Sequence, residues 1–113
     1  ANGKMPDAIV NVTNDAWYGQ SAGPYQHLQQ AVFRAIEEGI PVIRSANTGI
    51  SAVIDPYGRF VAKIPFFQER SARAFLPRPV PVRTPYSKGG DTLFFILLIM
   101  ASSLKFALDR IRE

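Results

Sequence analysis

The side chains best suited to contact a substrate follow the first apolar run of the chain. This run, residues 8–13, is short and rich in β-branched residues, which predicts a buried strand. The next ten residues, 14–23, contain an Asn-Asp pair, a serine and two glycines and predict a loop. Loop residues that follow a buried strand often line a functional site. We therefore expect Asn14, Trp17 and Tyr18 to contact substrate, with an aromatic plug in the core as the alternative for Trp17.

Four further polar residues could take part in chemistry, but a structural role would also explain each of them. Asp15 is expected to cap or shape the turn. His27 could act as an acid or base, and we expect instead a structural hydrogen bond near the start of the following helix. Arg34 and Glu38 are four residues apart on that predicted helix, which predicts an ordinary ion pair on its face.

The chain contains no cysteine and one histidine. These counts exclude a thiol nucleophile, a disulfide and a thiolate metal site within the chain. A single histidine cannot form a histidine-rich metal site either. We therefore assign no catalytic residue and no metal ligand to these 113 residues, and we expect no cofactor.

The elements that position these residues alternate between strand and helix. A helix is predicted from Pro24 to Glu38, ended by Gly39 and Pro41. Apolar residues at three- and four-residue spacing predict its buried face: Leu28, Ala31, Val32, Ala35 and Ile36. Strands joined by turn sequences are predicted at residues 41–46, 50–54 and 59–64, with an additional short strand at 71–76. The predicted fold class is therefore α/β in the broad sense, with mixed α and β elements.

A proline-rich connector and an apolar segment follow the mixed α and β domain predicted for residues 1–76. Four prolines in residues 77–91 exclude a central strand or a helix and predict an extended connector, with Lys88-Gly89-Gly90 as a flexible joint. Residues 92–104 carry no charge, and the apolar segment extends to residue 108, near the lower limit for a membrane span. Because it is apolar on all sides, we favour a transmembrane helix over residues 92–108 and a short polar tail at 109–113.

The net charge of +4 comes from scattered basic residues. No basic face interleaved with aromatic residues is present, so we expect no nucleic-acid partner. Basic residues flank the apolar segment on both sides, as in chains that meet lipid headgroups. For this reason the charges do not decide which end of the helix is cytoplasmic.

Several short motifs together resemble the nitrilase (carbon–nitrogen hydrolase) superfamily and, more narrowly, its apolipoprotein N-acyltransferase family. They are Asn14-Asp15-Ala16-Trp17-Tyr18-Gly19, Gly23-Pro24-Tyr25-Gln26-His27, Arg34-Ala35-Ile36-Glu37, Asn47-Thr48-Gly49-Ile50-Ser51 and Asp55-Pro56-Tyr57-Gly58. Thr84-Pro85-Tyr86 before a final apolar helix adds to the resemblance. The match covers nearly the whole chain, and its specificity comes from the combination of motifs.

The resemblance implies part of an αββα sandwich followed by one C-terminal transmembrane helix. It also implies transfer of an acyl chain from a phospholipid to the N-terminal amine of an apolipoprotein cysteine, through a thioester on an enzyme Cys. A Glu and a Lys accompany that Cys, and all three are expected upstream of Ala1. The nitrilase-like part would lie outside the bacterial inner membrane, with the C-terminus in the cytoplasm. We expect the isolated chain to be inactive.

Two other readings fit the sequence. The chain could be part of a soluble carbon–nitrogen hydrolase, which detergent-free solubility would support. It could also be a small single-pass membrane protein with a binding or structural role, which would begin at or near Met5 and fold alone. The reading frame upstream of Ala1 is the most useful further observation, because a stop codon there, or the absence of a Cys, would reject the enzyme reading.

Overall fold

The computed structural model describes residues 4–112, with side chains described as far as Arg110. The predicted boundaries at residues 1 and 113 lie outside this range. The described elements are β1 (Ile9–Asn14), α1 (Gly23–Glu38), β2 (Val42–Asn47), β3 (Ser51–Ile54), β4 (Phe60–Ile64), α2 (Pro85–Gly89) and α3 (Thr92–Arg112), with one 3₁₀ turn at Ala16–Tyr18. The mixed α and β class predicted from the sequence is confirmed.

The four strands form one sheet in the order β1-β2-β3-β4. Strands β1 and β2 are parallel, with Ile9 opposite Val42 and Asn14 opposite Asn47, and α1 is the crossover between them. Strands β2, β3 and β4 form an antiparallel meander. Each strand begins and ends within two residues of its predicted limits, because the β-branched runs are bounded by turn sequences.

Helix α1 covers one face of the sheet. Pro24 occupies the first helical turn, and Gly39 ends the helix in the left-handed conformation at φ 67°. Four of the five predicted face residues are buried against the sheet: Leu28, Ala31, Val32 and Ala35. The prediction for Ile36 is wrong, since this side chain is 44% exposed at the margin of the buried stripe.

On the face of the sheet that lies away from α1, the side chains of β1 are exposed. Alternation along the strand directs Ile9 and Asn11 toward α1, while Val10 and Val12 face away from the helix and are 68% and 79% exposed. One helix layer on one sheet layer is therefore present in the described residues, and apolar surface remains uncovered on the second face of the sheet.

The β3–β4 turn is organised by the carboxylate of Asp55. It accepts hydrogen bonds from the backbone N–H groups of Tyr57 and Arg59, both at 2.9 Å, and from Arg59 Nε at 2.7 Å. Burial opposes ionisation, but these bonds outweigh it and hold the pKa of Asp55 below its usual value. Gly58 adopts φ 80°, so the Asp-Pro-Tyr-Gly sequence forms the tight turn that it predicts.

Two predictions about residues 65–91 are wrong. Residues 71–76 form no strand and are all exposed, because no neighbouring strand pairs with them. Pro85–Gly89 is a short helix, where an extended connector and a flexible joint were expected. Thr84 explains the helix: its side chain accepts a hydrogen bond from Ser87 N at 3.0 Å, and Pro85 fits the first helical position.

Helix α3 extends to Arg112, past the predicted end of the span at residue 108. Its Thr92–Arg110 portion, 19 residues, is long and apolar enough to cross a membrane, and none of it is buried against the rest of the chain. At about 1.5 Å per residue this portion nearly matches a hydrocarbon core of about 30 Å. We call the four-stranded sheet together with α1 the sheet unit. The chain that leads from this unit to α3 is hydrogen-bonded to the C-terminal end of α1: Val80 N donates to Gly39 O at 2.9 Å, and the Thr84 hydroxyl donates to Glu37 O.

Candidate functional site

The segment Asn14–Tyr18 leaves the sheet where the parallel strands β1 and β2 both end. Asp15 N donates to Asn47 O at 3.0 Å, which extends the ladder by one residue. Asn14 Oδ1 accepts from Ala16 N at 3.0 Å and lies 3.4 Å from Asn47 Nδ2. The carboxyl ends of parallel strands are where ligands bind in open α/β sheets. The local backbone therefore places this segment at a favourable position for a site.

The structure brings the three predicted substrate-contacting residues together on this one segment. Asn14 is exposed at the end of β1, and the Trp17 side chain is 86% exposed on the 3₁₀ turn. The core-plug alternative for Trp17 is therefore wrong. Tyr18 is 43% exposed, and its ring lies against Gly23 and 5.9 Å from the ring of His27. Contact of Asn14, Trp17 and Tyr18 with substrate stays a prediction.

Beneath the segment, Asp15 and Arg44 form a buried ion pair. Asp15 Oδ2 is 2.8 Å from Arg44 Nη2, and both side chains are fully buried. The predicted capping role of the Asp15 side chain is wrong, because it makes no cap hydrogen bond and only its backbone carbonyl takes part in the turn. Its carboxylate instead reaches across to β2, 29 residues along the chain.

Three groups hold the guanidinium of Arg44 in place. Nε donates to Ile50 O at 3.2 Å, Nη1 donates to Asn11 Oδ1 at 3.0 Å, and Nη2 donates to Asp15. A buried charge is tolerated when it is paired and its donors are satisfied, as here. The side chain of Arg44 on β2 therefore links Asn11 of β1 and the carbonyl of Ile50 to the Asn14–Tyr18 segment.

His27 completes the cluster from α1. Its Nδ1 is 2.7 Å from Asp15 Oδ1, and since a carboxylate only accepts, Nδ1 carries the proton and donates. Arg44 Nη2 also lies 3.3 Å from Nδ1, but two donors face each other there and no hydrogen bond results. The structural hydrogen bond expected for His27 is thus present, and its partner is Asp15. The side chain of His27 is 26% exposed, whereas those of Asp15 and Arg44 are fully buried.

Gly49 makes room for this arrangement. A Cβ atom at Gly49 would overlap the carboxylate of Asp15, so only glycine permits the turn to approach so closely. The preceding residue, Thr48, adopts φ 57° to make the turn. The Asn-Thr-Gly motif therefore shapes the space that Asp15 occupies.

A small cavity of about 210 Å³ lies beside the cluster, lined by polar side chains that include Asn11, His27, Gln30 and Arg34. Arg34 also pairs with Glu37 at 3.3 Å, and with the predicted Glu38 at 3.7 Å. Among residues 4–110, no group of three His, Asp or Glu side chains could hold a metal ion.

Sequence reasoning missed Asn11 and Arg44 as members of the site. The available signal was the position of Arg44 in a strand, between two residues that face the core: Val42 and Ala46 lie on the same side of β2. A charged residue at an inward position requires a buried partner.

A carbon–nitrogen hydrolase family model matches residues 3–78, which includes the whole sheet, α1 and the candidate site. The chain therefore belongs to the carbon–nitrogen hydrolase family. The apolar helix α3 lies outside the matched residues.

Curated relatives give a narrower similarity. An apolipoprotein N-acyltransferase of Bradyrhizobium diazoefficiens is 54% identical over 98 residues, which cover 87% of this chain and 18% of that protein. The apolipoprotein N-acyltransferase of Rickettsia bellii is 39% identical over 96% of this chain and 22% of its own length. That of Agrobacterium fabrum is 66% identical over 52% of this chain and 11% of its own length. The resemblance predicted from the motifs is confirmed, and the chain spans about a fifth of the length of the first two relatives.

Proposed function

We propose that this chain is the C-terminal part of a bacterial membrane acyltransferase. The complete enzyme would transfer an acyl chain from a phospholipid to the N-terminal cysteine amine of an apolipoprotein. The observation that carries the proposal is the similarity to apolipoprotein N-acyltransferases over 87% of the chain. An exposed apolar helix of membrane-spanning length at the end of the family domain supports it.

The reaction needs a Cys, which this chain does not contain, and a Glu and a Lys that the resemblance places upstream of Ala1. A Cys thiolate, formed by proton transfer to a Glu, would attack the ester carbonyl of the phospholipid. A Lys would stabilise the oxyanion, and the lysophospholipid would leave with a proton to give a thioester. The apolipoprotein amine would then attack the thioester, forming an amide and releasing the thiol. With no Cys among its 113 residues, the isolated chain should be inactive.

The contribution of this chain would be binding and positioning. Asn14 and Tyr18 would contact the substrate beside the thioester, and the exposed indole of Trp17 would contact its acyl chain. In the complete enzyme the sheet unit would lie outside the inner membrane, held by several spans, and α3 would return the C-terminus to the cytoplasm. The partners would be phospholipid, apolipoprotein and membrane, without nucleic acid.

Acyl transfer by the product of the complete reading frame tests the proposal. We expect the reading frame upstream of Ala1 to encode a strand ending in Cys. Purified in detergent, the complete protein should move a labelled acyl chain from phospholipid to a lipoprotein peptide with a free N-terminal cysteine amine. Its Cys→Ser variant and residues 1–113 alone should not. Solubility of the chain without detergent, together with hydrolysis of an amide substrate and no acyl transfer, would support the hydrolase alternative, and an upstream stop codon would reject both enzyme readings.

Trp17→Ala in the complete protein should raise KM for the phospholipid about tenfold. Burying a large apolar side chain contributes about 1.5–3 kcal/mol, and about 1.4 kcal/mol corresponds to a factor of ten. Trp17→Phe should recover most of the effect because it keeps an aromatic surface. Phe33→Ala is the matched control, since Phe33 is an exposed aromatic residue on the outer face of α1. An equal rise in KM for both alanine variants would contradict a specific role for Trp17.

A further inference from the structure

The segment that carries Trp17 and Tyr18 is held to β2 by the backbone bond from Asp15 N to Asn47 O, and to Arg44 and α1 by the buried side chain of Asp15. Its two carboxylate oxygens have different partners: Oδ1 accepts from His27 and Oδ2 from Arg44. Asp15 immediately precedes the 3₁₀ turn that contains Trp17 and Tyr18. The orientation of this carboxylate therefore sets where the turn, and both aromatic side chains, stand relative to the sheet.

The two partners of Asp15 differ in how firmly they are held. Arg44 is fully buried and donates to two further groups, so the sheet fixes its position independently of Asp15. His27 lies on α1, its side chain is 26% exposed, and its ring meets the ring of Tyr18 at 5.9 Å. Among the hydrogen bonds and ion pairs that the structure shows for Asp15, the bond to His27 is the one that reaches α1.

We propose that His27 is a positioning residue: by donating Nδ1–H to Asp15 it holds the Trp17–Tyr18 turn in the orientation that captures the acyl substrate. The inference rests on the proposed function, because it takes these two aromatics to contact the acyl donor. The role proposed for His27 is to act through Asp15, by the hydrogen bond from its Nδ1, and no proton transfer is assigned to it.

A positioning role of this kind should change the binding of the substrate more than the rate of the chemical step. The nucleophile, the base and the oxyanion-stabilising group would all lie on other segments of the complete enzyme. A displaced aromatic surface weakens binding of the ground state and the transition state alike, which raises KM and leaves kcat unchanged. A merely structural histidine would lower the amount of folded enzyme and leave both constants of the folded fraction as they were.

The decisive comparison is His27→Leu against His27→Asn in the complete enzyme. The Nδ2 atom of asparagine stands the same number of bonds from Cα as the imidazole Nδ1, so it can donate to Asp15. Leucine removes the donor, and both variants lose the contact with the Tyr18 ring. We expect His27→Leu to raise KM for the phospholipid about tenfold with kcat within about twofold, and His27→Asn to stay within about twofold of the wild type in both constants. Gln29→Leu, on the exposed side of α1, is the matched control and should change neither.

Amide hydrogen exchange of the peptide spanning residues 14–19 provides a second readout that does not need catalysis. Exchange there should be faster in His27→Leu than in His27→Asn or the wild type, while the amides of β2 stay protected and show that the sheet is intact. If His27→Leu fails to fold, His27→Gln, which moves the donor by one methylene, should give an intermediate change in the same direction.

The outcomes separate this inference from the proposed function. Equal kinetic effects of leucine and asparagine, or no effect of leucine on KM or on exchange at residues 14–19, would overturn the role of His27. If the complete wild-type protein transfers no acyl chain, the proposed function fails, and the exchange comparison alone then decides whether His27 positions the turn.

Discussion

Replacing Arg44 with methionine should destabilise the folded sheet unit by about 3–5 kcal/mol, the usual cost of removing one partner from a buried ion pair. Methionine fills a similar volume but leaves the carboxylate of Asp15 buried and without its cation, and it removes the donors to Ile50 O and Asn11 Oδ1. Urea unfolding of the complete protein in detergent micelles, monitored by hydrogen exchange of the β2 amides, measures this loss of folding free energy.

Two variants serve as controls for this prediction. Arg34→Met removes an exposed arginine from pairs with Glu37 and Glu38 and should cost less than about 1 kcal/mol. Arg44→Met combined with Asp15→Leu removes both buried charges, and the double variant should be less destabilised than the sum of the two single variants. Additive losses, or equal losses for the buried and the exposed arginine, would show that the buried pair does not couple the segment to β2.

Local signals in the sequence account for most of the fold. The strands are short β-branched runs with turn residues at both ends, and α1 has proline at its start and glycine at its end, so each limit is encoded within a few residues. The predictions failed where the outcome depended on a distant partner. Residues 71–76 were predicted as a strand, but they contain no β-branched residue and have no strand to pair with in the described sheet. Helix α2 was missed because proline was weighed as a helix breaker, although Thr84 before Pro85 is also a helix-start signal.

The candidate site was predictable only in its exposed part. Asn14, Trp17 and Tyr18 follow a strand directly, so their place at the sheet edge can be derived from local sequence. The pairing of Asp15 with Arg44 spans 29 residues and depends on the parallel register of β1 and β2. Asp15 was therefore taken for a turn residue, since an Asp in a loop looks the same in sequence whether it caps a turn or points into a buried pair.

Helix α3 should bind the chain to lipid vesicles, and a single charge at the centre of the helix should weaken that binding. Residues 1–113 translated with lipid vesicles should float with them in a density gradient, because the exposed apolar side chains of Thr92–Arg110 have no protein partner in the described chain. Met100→Arg places a guanidinium near the middle of the span, which costs about 3 kcal/mol and should lower the partition constant between vesicle and water about 100-fold. Vesicle flotation separates lipid-bound chain from aggregate, which sediments.

Asp109→Arg is the matched control for the charge at Met100, since it introduces the same side chain at the end of the span, where the long stem of arginine reaches the headgroups. It should leave flotation unchanged. Ending the chain at Gly90 should abolish flotation altogether, because no helix among residues 4–90 is long and apolar enough to cross a membrane. If the shortened chain still floated, the uncovered face of the sheet around Val10 and Val12 would be the lipid-binding surface, and α3 would have to find its partner in protein instead of membrane.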